Sequence, residues 1–256
     1  MLRIPCIDSH LHCGVQNVWW PWEKVRPRLL AAEIVGAGLI PPVEDIYDRY
    51  DPAFVDAPAW QECRRRAQQY LRFLQDDAFT LYPYFFVWND FAWEELDEGY
   101  AAIKWHRHDH EPEYRYDAPR CQEFLACASQ LRLPILLEET LNNTLFFIRE
   151  LAPLATVIIP HLGMLNGGYQ RLKALGVWEL PQVYADTALA SAAEISDYVK
   201  NFSARRLFFG SDYPFGDPVS EKNKVLSLDL SGADLEAILA GNWLRLQADR
   251  RSGLQD

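Results

Sequence analysis

Between residues 134 and 211 the chain reads PILLEE (134–139), TVIIPH (156–161), VYADT (183–187) and RLFFGS (206–211), with amphipathic stretches between these runs. Each run is short, and most are rich in Val, Ile, Leu or Phe. Continuous apolar runs of this length are what parallel strands buried on both faces look like. The intervening stretches have helical spacing. In 117–132, Cys121, Phe124, Leu125, Ala128 and Leu131 fall on one face, and 141–151 and 191–202 repeat the pattern. The alternation predicts successive βα units around a parallel sheet.

Working outward, AAIKWH (101–106), the aromatic run FTLYPYFFVW (79–88) and residues 2–7 extend the series of strands. A long helix is expected over 59–74, with Arg64, Arg65 and Arg66 as a solvated face. The segment 13–77 is harder to read; it holds Trp19, Trp20 and Trp22 and should contain a second strand near 34–40. No repeat or low-complexity linker interrupts the chain, so one barrel-like α/β domain over 1–256 is expected.

Composition narrows the partners. Of 256 residues, 49% are hydrophobic and 24% charged, which is ordinary globular usage. Thirty-six acidic against 25 basic side chains leave a net charge of −11, which argues against a nucleic-acid partner. No apolar run is long enough to span a bilayer, and the N-terminus is too short and too soon polar for a signal peptide. The five cysteines are odd in number and form no C-x-x-C pair. A cytoplasmic protein acting on a small-molecule substrate, with no membrane partner, is the expectation; association into a homo-oligomer is left open.

Chemistry-bearing residues recur at the ends of the expected strands. Asp8-Ser9-His10-Leu11-His12 closes the first, and in extended geometry residues i and i+2 share a side, so His10 and His12 can face one metal ion. Lys104 and His106 end the AAIKWH run, Glu138 and Glu139 end PILLEE, His161 ends TVIIPH, Asp186 sits in VYADT and Asp212 follows RLFFGS. Singly, each has a plain structural reading as a strand end, turn former or helix cap. Together, imidazoles and carboxylates at successive strand ends are a ligand set for a divalent metal, zinc first and manganese second.

These motifs, with Pro160-His161-Leu162-Gly163, Gly210-Ser211-Asp212-Tyr213-Pro214 and the stretch 238–246, resemble the amidohydrolase superfamily. The branch they resemble is the amidohydrolase-2 group, which includes metal-dependent hydrolases and non-oxidative decarboxylases of the aminocarboxymuconate-semialdehyde type. The resemblance implies a distorted TIM (β/α)8 barrel with its site at the C-terminal mouth. It implies metal ligation by His10, His12 and Asp212, with Asp212 also handling the proton of the attacking water. It gives His161 a second-metal or substrate role and matches Lys104 to a lysine frequent in the branch. At one position the chain departs from the pattern: Glu138 stands where the branch has a histidine. Glu138 is therefore expected either as a carboxylate ligand or as the ion-pair partner of Lys104.

The implied activity is hydrolysis of an ester, lactone or amide by a metal-activated water, with Asp212, His161 and Lys104 as catalytic residues. Trp19, Trp20, Trp22 and His106 are candidates to contact substrate, with helix-layer packing the alternative for the tryptophans. Two other readings stay open: decarboxylation of an aromatic or unsaturated acid, with Arg26, Arg28, Lys104 and Arg107 as candidate carboxylate partners, and a barrel with a degraded metal site that serves as a binding module.

Overall fold

A computed structural model describes residues 4–254. Eight parallel strands run in chain order around a barrel: β1 (Ile7–His12), β2 (Gly36–Ile40), β3 (Thr80–Phe86), β4 (Ala102–His106), β5 (Ile135–Glu138), β6 (Val157–Ile159), β7 (Val183–Asp186) and β8 (Leu207–Phe208). Helices between them form the outer layer: α1 (Trp22–Ala31), α2 (Pro58–Phe73), α3 (Pro119–Gln130), α4 (Leu141–Phe146), α5 (Tyr169–Ala174), α6 (Ala192–Phe202) and α7 (Pro218–Leu226). The short α8 (Gly232–Glu236) and the closing α9 (Asn242–Ser252) follow β8. The fold is a distorted TIM barrel, as the strand and helix alternation and the resemblance implied.

The distortion lies at the seam. β8 is only two residues long, and the chain beyond it leaves regular strand geometry yet still pairs with β1. Ser9 N–H donates to Phe209 O (2.9 Å), Asp212 N–H to His10 O (2.7 Å) and His12 N–H to Tyr213 O (2.7 Å). Asp8 stitches the same seam, accepting from Ser211 Oγ at 2.5 Å and from the backbone of Ser211 at 2.9 Å.

β1 also carries an irregularity. Its register against β2 shifts between Asp8 and Leu11, leaving one extra residue in β1. The bulge presses Ser9 against Gly38, where a Cβ would stand 2.5 Å from Ser9 O, so β2 needs a glycine there.

Most expected elements are present, including β2 inside the uncertain region. Three expectations are corrected. The first strand begins at Ile7, not Leu2; Ile4 to Cys6 are irregular, and Leu2 and Arg3 lie outside the described residues. The basic run on α2 is only partly solvated. Arg65 and Arg66 are exposed on Glu62 and Glu95, but Arg64 is buried in a double ion pair with Asp56 (2.7 Å) and Asp90 (2.6 Å). The Trp-rich loop forms a small antiparallel ribbon, Gly14–Val15 with Trp19–Trp20.

The outer core is dense in rings: Trp105 meets Phe91, Tyr114, Tyr116 and Phe147 at centroid distances of 4.8 to 5.9 Å. The five cysteines are free thiols. Among the described residues no helix is long and apolar enough to cross a membrane.

Candidate metal centre

The strand ends converge. Asp212 Oδ1 lies 3.3 Å from His10 Nε2 and 3.3 Å from His12 Nε2, while Asp212 Oδ2 lies 3.9 Å from His161 Nε2. His161 Nε2 stands 3.7 Å from Glu138 Oε2. All five side chains are buried. Two overlapping triads result, His10–His12–Asp212 and His10–Glu138–His161, with ligand atoms within 4.8 Å of one another.

Each histidine is fixed from behind. His10 Nδ1 donates to Asp186 Oδ2 (2.9 Å), His12 Nδ1 to Pro41 O (3.2 Å) and His161 Nδ1 to Ala188 O (3.1 Å). With the outer nitrogen carrying the proton, Nε2 of His10 and of His12 offers a lone pair to the interior, the arrangement a metal-ligating histidine requires. Asp186 does more than hold His10. Its Oδ1 accepts from the backbone N–H groups of His161 (2.8 Å) and Ala188 (3.1 Å), so one carboxylate sets both rings.

His10 Nε2 is fully buried and has no hydrogen-bond partner. An orphaned lone pair in the interior is costly. A divalent cation shared with His12 and Asp212 relieves it, and the donor set of imidazoles and carboxylates suits such an ion. The residues present therefore fit a divalent metal.

The backbone is bent to achieve this. His161 and Leu162 have φ of 56° and 48°, and Asp212 has φ of 53°, a left-handed region that costs non-glycine residues about 1–3 kcal/mol each. Gly163 (φ 83°) completes the turn after His161, and a Cβ there would meet Leu172 at 2.2 Å.

The charges interlock. Burial opposes ionisation of Asp212, but His10, His12 and His161 outweigh it and hold the carboxyl down at about 2. Burial also opposes a charged His161, yet Glu138, Asp186 and Asp212 lift it to about 9. Glu138 stays well below the ordinary range because Lys104 and His106 overcome its desolvation. His10 and His106 are lowered, chiefly by burial, His106 to about 4.

Lys104 donates to Glu138 Oε2 at 2.7 Å, so Glu138 faces both the metal-binding side chains and Lys104. Its other oxygen takes His108 Nε2 at 2.6 Å and lies 3.3 Å from His106 Nε2. Glu139 points the other way, as strand alternation requires, onto Tyr116, Asn143 and the Thr140 N–H.

His108, Glu111 and Tyr47 were missed from the sequence. Glu111 accepts from Tyr47 (2.7 Å) and the His108 backbone (2.9 Å), and His106, His108 and Glu111 form a third triad beside the first two. His106 and His108 repeat the i, i+2 spacing of His10 and His12, a signal that could have found His108, whereas no spacing points to Glu111 or Tyr47. The tryptophans divide. Trp20 lies edge-on to Phe215 (5.9 Å), which lies edge-on to His12 (5.8 Å), so Trp20 and the exposed Phe215 cover the mouth. Trp19 is largely exposed. Trp22 is not at the mouth: it is buried in the helix layer, its indole N–H on Asp76 (2.9 Å) and its ring against Phe79. Arg26 is held at the same place by Asp76.

The family model named Amidohydro_2, described as Amidohydrolase, matches residues 7–246. The chain belongs to the amidohydrolase-2 family. No curated protein matches it. Several solved structures share its fold. A 2,6-dihydroxybenzoate decarboxylase complexed with 2,6-dihydroxybenzoate superposes with a TM-score of 0.70 at 15% identity, over 96% of this chain and 100% of the other. A protein assigned as a 2-pyrone-4,6-dicarboxylic acid hydrolase from Pseudomonas putida gives 0.68 at 14%, over 96% and 98%. A dihydroxybenzoic acid decarboxylase from Polaromonas sp. JS666, with manganese and 2-nitroresorcinol bound, gives 0.69 at 15%, over 96% and 97%. This amidohydrolase-2 chain is thus of an enzyme family that includes hydrolases and decarboxylases, and its buried His, Asp and Glu cluster could bind a metal.

Proposed function

We propose that the chain is a metal-dependent hydrolase acting on a small ester, lactone or amide. The observation that carries the reading is the convergence of His10, His12 and His161 Nε2 atoms on Asp212, each ring tied from behind and one lone pair orphaned. His10, His12 and Asp212 would hold the ion, and Glu138 and His161 stand beside them. When bound, a divalent ion supplies an acidic water. Asp212, held ionised by the three imidazoles, accepts the proton of the attacking water. His161, kept cationic by Glu138, donates toward the oxyanion that develops on the substrate. Lys104 neutralises Glu138 and fixes it. Zinc and manganese both suit a mixed nitrogen and oxygen set, and the manganese in a fold neighbour adds weight to the second.

Hydrolysis is favoured over decarboxylation by the state of the cations around the centre. Lys104 is paired with Glu138, Arg49 with Glu111, and Arg107 lies 3.6 Å from Glu139. A substrate carboxylate would compete with these partners, whereas a neutral carbonyl compound would not. The decarboxylase reading draws support from the dihydroxybenzoate enzymes among the fold neighbours. Assaying protein loaded with zinc or manganese on aryl esters, lactones and amides, and separately on hydroxybenzoates, tests the proposal. Acid release from the first group supports it; carbon dioxide from the second, with no hydrolysis, replaces it with decarboxylation.

A further inference from the structure

At the opposite end of the barrel a cavity of about 730 Å³ opens between α3, the start of β5, the loop 151–156 and α9. Leu133 and Ile135 line it, at the end of β5 away from Glu138. Its volume falls in the range of small-ligand sites. Leu125, Leu133, Ile135 and Leu246 give the wall an apolar part, and Gln122, Ser129 and the charged groups below make the rest polar.

Arg250 on α9 also lines this cavity. It is 5% exposed and has no ion pair among the described residues. One contact is a hydrogen bond from Nη2 to Glu98 O at 3.2 Å, while Nε and Nη1 have no partner. Burial and the neighbouring Arg251 work against its charge, and Glu98 offsets them only in part. A buried guanidinium with no carboxylate at ion-pair distance is unfavourable, and an anion beside it lowers the penalty. Buried arginines elsewhere in the chain have such partners: Arg64 has Asp56 and Asp90. At the rim stand exposed Arg132 and exposed Asp249. Two arginines against one aspartate leave one net positive charge in the lining, which suits a monoanion and disfavours a dianion.

We propose that this cavity is a second ligand site, separate from the metal centre, that takes a monocarboxylic acid on a hydrocarbon or aryl body. The carboxylate pairs with Arg250 and the body packs on the leucine and isoleucine walls. The site uses none of the metal-centre residues, so it stands or falls independently of the catalytic reading.

The test is calorimetric titration of the whole chain with 4-phenylbutyrate and with its uncharged amide. The acid should bind, and the amide should bind about tenfold more weakly or worse, the usual effect of losing a charged hydrogen bond. Arg250→Gln should abolish the preference for the acid. Ala126→Trp, at an exposed lining position, should narrow the cavity and weaken both probes while leaving Arg250 in place. The tryptophan variant keeps the test decisive even if Arg250→Gln fails to fold. Equal binding of acid and amide, no binding of the acid, or acid binding that survives both substitutions would overturn the proposal.

Discussion

Replacing Glu138 by Gln should be one of the most destabilising single substitutions at the barrel mouth, even with no metal present. Lys104 is fully buried, and its ammonium sits 2.7 Å from Glu138 Oε2. Removing the carboxylate charge leaves that ammonium uncompensated in the interior, which typically costs about 3–5 kcal/mol. Glutamine can still accept from Lys104 Nζ, so the lower end applies, about 3 kcal/mol. In a chain of this size 1 kcal/mol moves the melting temperature by about 2–4 °C, so a drop of roughly 6–12 °C is expected. The assay is thermal unfolding of both proteins in excess chelator, which removes any contribution from metal binding. The double variant Glu138→Gln/Lys104→Met should recover most of the loss, because it removes both members of the pair. If Glu138→Gln melts within about 2 °C of the parent under chelation, the buried ion pair is not what Glu138 supplies.

His161 gives a pH test. Its folded value of about 9 lies above the ordinary 6.5, so the stabilisation it contributes is complete below pH 6.5 and is lost as pH rises through 9. Chelated protein should lose on the order of 3 kcal/mol across that window, and His161→Asn should flatten the profile of melting temperature against pH. Asp186→Asn should weaken metal binding by about 10- to 100-fold without touching the ligand atoms, since it loosens both His10 and His161; competition with a fluorescent chelator measures this. Phe215→Ala should raise KM with little change in kcat, because Phe215 and Trp20 cover the mouth and hold no reacting group; a fall in kcat alone contradicts that role.

The later strands were legible because most are buried on both faces and therefore written in Val, Ile, Leu and Phe, as in Val157–Ile159. β2 was placed only loosely, since Gly36-Ala37-Gly38 has little apolar bulk, and Gly38 is small because the β1 bulge presses Ser9 against it. The site residues at strand ends were legible as residue types, but their supports were not. Asp186 was readable as a strand-end carboxylate, yet its two-ring role depends on the turn after β6, where His161 takes a left-handed φ. Trp22 was misread because an indole suits both a pocket wall and a helix layer; only the position of Asp76 and Phe79 decides. Arg64 was hidden in a run of three arginines whose other members are solvated, and its partners Asp56 and Asp90 lie in separate loops. Asp212 caps no helix; Asp217 caps α7 instead, five residues later.

The proposed chemistry rests on metal binding by His10, His12 and Asp212. Elemental analysis of protein purified without chelator tests it most directly, with His10→Ala, His12→Ala and Asp212→Asn measured beside the parent. Close to one equivalent of zinc or manganese is expected in the parent, far less in each variant, and turnover should fall in step with the metal. Full metal occupancy in all three variants, or a metal-free parent that turns over undiminished, would contradict it.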